Sequence, residues 1–87
     1  MIQNYIKVNS KDGAEEILAS MISKESKKYD STINMFKENS YCNADNTNDV
    51  LNMGLNCGDE VLIVAEGWDE LQAIQEMKNI IENNFDV

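Results

Sequence analysis

The sequence predicts an α+β fold, an antiparallel sheet with helices on one face. Three observations carry that reading. Apolar residues alternate at the start of the chain and again from residue 31, as in half-buried strands. They recur at helical spacing after Ala14 and again after Asp69. Residues 61–65 form a short, β-branched apolar run suited to a central strand. Strands and helices are mixed rather than strictly alternating, which separates this pattern from a parallel, doubly wound sheet.

Each element follows from local chemistry. Ile2, Ile6 and Val8 sit at even spacing and give a first strand with one buried face. Residues 9–13 are a polar turn. From Ala14 the period becomes helical: Ile17, Leu18, Met21 and Ile22 share one face. Glu15 and Glu16 in the first turn, and Lys24, Lys27 and Lys28 crowding the last, both complement the helix dipole. Residues 31–36 read as a second strand, with Ile33 and Met35 alternating inward. Residues 37–40 read as a hairpin turn, and Tyr41-Cys42 as a short third strand. Residues 45–52 are too polar for a core helix, but Val50, Leu51 and Met53 pin a short surface one. Gly54 and Gly58 bracket a loop before the run at 61–65. Asp69 is expected to cap a last helix in which Ala73, Ile74, Met77, Ile80 and Ile81 line one face. The methionines are assigned mainly to the core. Trp68 is assigned to packing over a helix end, exposure being the sign of a contact instead.

Length and composition bound the function. The 87 residues make a single domain, 1–87. Sixteen acidic residues face seven basic ones, all lysine, for a net charge of −9. That field repels phosphate backbones and acidic lipid surfaces, so nucleic-acid and membrane binding are excluded, and any partner must accept an acidic surface. No apolar run is long enough to span a bilayer. The first residues lack a basic stretch followed by an apolar one, and there are only two cysteines. The expected compartment is therefore the cytoplasm.

No catalytic constellation is visible, and the chain is not expected to be an enzyme. Cys42 and Cys57 are not spaced as a redox pair, and with no histidine there is no zinc set to complete. No metal or cofactor is implied. Adjacent carboxylates at Glu15-Glu16 and Asp69-Glu70 fall at helix starts, where acids are ordinary.

The turn Lys11-Asp12-Gly13 into a helix, residues 50–54 (VLNMG) and residues 58–70 (GDEVLIVAEGWDE) resemble the HPr family. These are small phosphocarriers of the bacterial sugar phosphotransferase system. The likeness runs from end to end without a gap and is most specific in the second half. It implies an HPr-like open-faced sandwich: four antiparallel strands in the order 1-4-2-3, covered on one face by two long helices and one short one. The family carries a phosphoryl group on one histidine in a Gly-Leu-His-Ala-Arg-Pro run. Helix N-terminal amides and the arginine there stabilise the added charge. The matching run here is Gly13-Ala14-Glu15-Glu16-Ile17-Leu18. Glu15 falls at the phosphohistidine position, Ile17 at the arginine position and Leu18 at the proline position.

The regulatory serine of Gram-positive relatives falls at Asn46, which suits a helix cap but accepts no phosphate. Thr47 carries a hydroxyl but lies one position off. The resemblance therefore implies a binding or regulatory paralogue without phosphocarrier chemistry. Its protein partner would belong to the phosphotransferase system or to regulation. The implied docking surface comprises residues 11–15, Lys24 and Lys27 on the first helix, and Thr47 and Leu51 on the short one. Two other readings stand beside it: a phosphocarrier acting through a non-histidine residue, and a small structural or interaction subunit unrelated to sugar transport. An acidic first turn is sufficient reason for Glu15. The sharper reading is that it imitates a phosphorylated state, with one charge where a phosphate has nearly two. The oligomeric state is open at this level.

Overall fold

The structure, a computed structural model, describes residues 1–10 and 13–83. Lys11 and Asp12, part of the expected turn and docking loop, lie outside the described residues. The elements run β1 (Ile2–Lys7), α1 (Glu15–Ser26), β2 (Thr32–Lys37), β3 (Ser40–Asn43), α2 (Thr47–Met53), β4 (Glu60–Glu66) and α3 (Glu70–Glu82). The strands form one antiparallel sheet in the order β1-β4-β2-β3. β4 lies inside the sheet, as its continuous apolar run requires.

The sheet register builds the floor of the core. Val61 lies opposite Ile6, Ile63 opposite Met35, and Ala65 between Ile2 and Ile33. With Val8, these residues except Ile2 are at most 1% exposed. α1 covers them with Leu18, Ala19 and Ile22, and α3 with Ala73, Ile74, Met77 and Ile81. α2 buries only Val50 fully, with Leu51 and Met53 packed against the edge of the cluster.

Two expectations are corrected. Ile17 is 47% exposed and Met21 37% exposed. The inward side of α1 runs instead through Leu18, Ala19, Ile22, Ser23 and Ser26, so the arc that meets the sheet is turned past the apolar stripe and takes in small residues beside it. The methionines do fall mainly on the core, Met35 and Met77 fully buried and Met53 packed against it, while Met1 and Met21 are exposed. Trp68 does not pack over a helix end. It is 82% exposed, and its indole Nε1 donates to Asp30 Oδ2 at 2.9 Å.

Asp69 also departs from its expected role. It precedes α3, yet its side chain makes no capping hydrogen bond. Its carboxylate turns across the fold and accepts from the Asp30 and Ser31 backbone N–H groups, each at 2.9 Å. The Ser31 hydroxyl donates to it as well. The approach is close enough that a Cβ at Gly67 would fall 2.7 Å from Ser31 Cα. The Ser31 hydroxyl, and then the two N–H donors, hold the Asp69 carboxyl below its ordinary value against the opposing effect of burial. A second polar tie holds the loop after α2. The Lys37 ammonium lies 2.7 Å from Asp59 Oδ2 and donates to the Gly54 carbonyl.

Two measurements check this account. Ile74→Ala, at a site 4% exposed, should cost about 2–5 kcal/mol in urea unfolding. Ile17→Ala, on the outer side of α1, should cost about 0.5 kcal/mol or less. The second measurement is pH dependence. The folded-state pKa of Asp69 lies below the ordinary 3.8, so its stabilisation is present above that value and lost as pH falls through the folded-state pKa. Thermal unfolding of the parent chain and of Asp69→Asn should therefore differ most near neutral pH. The two curves should converge as pH drops below 3.8.

Candidate functional site

The start of α1 is set by backbone geometry. Gly13 adopts φ +84°, a left-handed conformation that disfavours side chains. It turns the chain into Ala14, which is 4% exposed. The Ala14 carbonyl accepts from the Leu18 N–H at 2.9 Å, the first bond of the helix. The N–H groups ahead of Leu18 therefore have no intrahelical acceptor and present the positive end of the helix dipole. Glu15 is half-buried there and Glu16 exposed. This end of α1 thus offers helix amides and carboxylates, with no imidazole and no guanidinium. Ile17 stands on the outside of the same turn.

The start of α2 is held by side-chain caps. Asn46 Oδ1 accepts from the Asp49 N–H at 3.1 Å, the capping role its position suggested. Asn43 Oδ1 accepts from the Asp45 N–H at 2.8 Å. Ser26 at the end of α1 donates its hydroxyl to Asp45 Oδ1 at 2.5 Å. This last bond couples two segments that sequence patterns treat as independent. The result is a shallow depression lined by Lys27, Asn43, Asp45, Asn46, Thr47 and Asn48.

Of the residues singled out from sequence, the structure brings Lys27, Asn46 and Thr47 together in that depression. Lys24 lies apart, in an open groove between α1 and α3 that also includes Met21, Lys28, Glu76 and Ile80. Leu51 is half-buried against the core, so it serves packing as much as surface. Lys28 is paired to Glu25 at 3.1 Å, while Lys24 and Lys27 are exposed and have no ion pair among the described residues. Tyr29 also donates to Glu25, at 3.2 Å. Burial, and then this acidic neighbour, push its hydroxyl up to about 12. Among the described residues no cluster of cysteine and carboxylate side chains is arranged to hold a metal ion. No helix among them is long and apolar enough to cross a membrane.

The profile of the family described as the PTS HPr component phosphorylation site matches residues 2–83. The chain belongs to the HPr family. It is 27% identical over 86 residues to the phosphocarrier protein HPr of Treponema pallidum, covering 99% of this chain and 98% of that protein. It is 23% identical over 82 residues to the HPr-like protein Crh of Bacillus subtilis, covering 94% and 96%. Its backbone matches the crystal structure of HPr-C-His from Thermoanaerobacter tengcongensis with a TM-score of 0.90 and 29% identity, over 100% of this chain and 98% of that one. The strand order and helix placement are those of the HPr open-faced sandwich. HPr-family members are carriers in phosphoryl transfer within the phosphotransferase system, and this chain shares their scaffold at nearly full length.

What sequence reasoning missed at this site is the outward turn of Met21 and the Ser26–Asp45 bond; the exposure of Ile17 agrees with its match to the arginine position of the family. Met21 had no such signal, because a period gives the relative angles of residues on a helix and not the direction in which the sheet lies. The Ser26–Asp45 bond had no local signature.

Proposed function

We propose that this HPr-family chain works by binding a protein partner and not by carrying a phosphoryl group on histidine. The observation that carries the reading is the absence of histidine from all 87 residues. The family's chemistry needs a nitrogen nucleophile and a nearby cation for the charge it acquires. By register the nucleophile's place is taken by Glu15 and the cation's by Ile17. The regulatory serine's place is taken by Asn46, whose amide is already engaged as a cap on Asp49.

The binding surface in this reading is the outer side of α1 with the start of α2. Ile17 and Met21 supply exposed apolar contacts, Lys24 and Lys27 supply unpaired positive charge, and Thr47 adds a hydroxyl. The apolar pair on α1 takes over a part that the polar run Asn46-Thr47-Asn48 on α2 leaves empty. A partner with apolar contacts ringed by acidic groups fits that face, and charge there sets association rate as much as affinity. The existence of an HPr-like protein among the relatives, named apart from the phosphocarriers, is consistent with a non-carrier role. The chain then acts as a cytoplasmic binder or regulator and has no enzymatic activity of its own.

The direct test is incubation with phosphoenolpyruvate and the first enzyme of the phosphotransferase system, followed by intact mass. The mass should not change. A gain of one phosphate that disappears in Glu15→Ala would overturn the proposal in favour of an acyl-phosphate carrier. Glu15→His combined with Ile17→Arg should accept a measurable fraction of a phosphoryl group, and Glu15→His alone should accept less. Leu18→Pro is best left out of that design, because Leu18 is fully buried and its N–H makes the first helical bond. Calorimetric titration against the same enzyme should show binding no tighter than about 10 μM. Low-micromolar binding lost on Ile17→Arg would instead mean that the ancestral partner is retained through a remade contact.

A further inference from the structure

The sheet has a second face, turned away from the helices. The register places Tyr5 beside Leu62, Leu62 beside Phe36, and Phe36 beside Tyr41, one side chain from each strand in a single row. Tyr5, Phe36 and Tyr41 are 63%, 39% and 74% exposed. Leu62 is half-buried between them. The rings of Phe36 and Tyr41 stack with centroids 5.8 Å apart. The next row, Gln3, Val64, Asn34 and Asn43, is uncharged as well. Charge begins only at the ends of the face, where Lys7 lies opposite Glu60 and Glu66 opposite Thr32. Single exposed apolar residues are ordinary, but an apolar row crossing every strand of a sheet is not. An aromatic centre with its charges at the rim is the composition of a protein interface.

We propose that this face binds a second copy of the same chain, sheet against sheet, as a weak and concentration-dependent dimer. Charge selects the occupant. Two molecules of net charge −9 repel each other wherever acidic surface meets acidic surface. This face lets them meet without opposing like charges at its centre, while Lys7 and Glu60 at its rim offer both signs. A basic partner is drawn to the acidic remainder of the surface and gains nothing from an uncharged one. A two-fold pairing is self-complementary, because it sets one aromatic row against another. Two such sheets stack about 10 Å apart with their strands about 30° from aligned. Size selects the strength. Strands spaced about 4.8 Å apart and rising about 3.4 Å per residue give a face of roughly 300 Å² in projection. Stable complexes bury about 800 Å² per partner, so this dimer belongs to the transient class.

The test is sedimentation equilibrium on the full chain from about 10 μM to about 2 mM, a range that brackets weak association. Tyr5→Lys and Tyr41→Lys are run alongside, both positions being well exposed, with circular dichroism to verify that each variant folds. The weight-average mass of the parent chain should rise from that of one chain towards that of two. Added salt should strengthen association by screening the like charges. Each variant should bind itself at least tenfold more weakly. Amide shifts on dilution should centre on β1, β4, β2 and β3 at the aromatic row, leaving α1 and α3 unmoved. A single-chain mass across the whole range overturns the proposal and leaves the face to some other partner. A dimer that persists unchanged in both variants also overturns it, since association by strand exchange or through the helices does not need the row.

Discussion

One carboxylate ties the two halves of this fold together. Asp69, in the turn between β4 and α3, accepts hydrogen bonds from two backbone N–H groups and a hydroxyl in the link between α1 and β2. β2 and β4 are neighbours in the sheet, so the clasp closes one end of that pair, at the point where α1 finishes and α3 begins. Both long helices therefore take their course over the sheet from a shared anchor. The donors gain an acceptor in a region where an unmade bond costs about 1–3 kcal/mol each. The bare backbone of Gly67 gives Ser31 room to come within reach. Remove the carboxylate, or thicken the glycine, and the helices lose one polar tie between their ends, leaving their shared apolar packing to hold them.

How much of this was legible in the sequence depends on how far each feature reaches along the chain. The run Val61 to Ala65 was the best candidate for an interior strand, because a short β-branched stretch with no polar alternation suits a strand covered on its flanks and at least one face. The hairpin between β2 and β3, the helical period after Ala14 and the polar short helix are local patterns, and they survive in the structure. The core of α3 follows its period from Ala73 to Ile81. Asp69 was misread because an acid before a helix looks like a cap, while its true partners lie 38 and 39 residues away. Met21 was misread, and Ile17 counted with the inward face despite its match to an arginine, because a helical period shows that residues share a side, not which way the covered arc is turned. At the candidate site, the turn at Gly13 and the cap at Asn46 are local and were legible. The meeting of Lys27 with Thr47 depends on the Ser26–Asp45 bond, which no spacing encodes.

The fold has three outward surfaces of different chemistry. The outer side of α1 combines aliphatic side chains with lysine in an otherwise acidic molecule. The start of α2 is polar and largely committed to its own capping. The open sheet face is aromatic at its centre and charged only at its ends. A scaffold of this size has little core to vary, since nearly every inward position is already filled by an aliphatic or sulfur-containing side chain. Divergence is free to act on the outside, where substitutions change what is met and leave the packing alone. An HPr scaffold without histidine fits that division: the inward positions are filled as the fold requires, and the departures from the family's motif stand at the start of α1.

The two thiols give the chain a built-in clock for its own opening. Cys42 is buried in β3, and its thiol is pushed up by that burial and by nearby Asp49. Cys57 stands exposed in the loop before β4. A mild alkylating reagent distinguishes the two by access, and the raised thiol of Cys42 further disfavours its reactive thiolate while it is buried. One label should add quickly to the native chain, and the second only as fast as β3 separates from the structure around it. With reagent slow against reclosing, the rate of the second addition reads the population of the opened form, and with reagent in large excess it approaches the rate of opening itself.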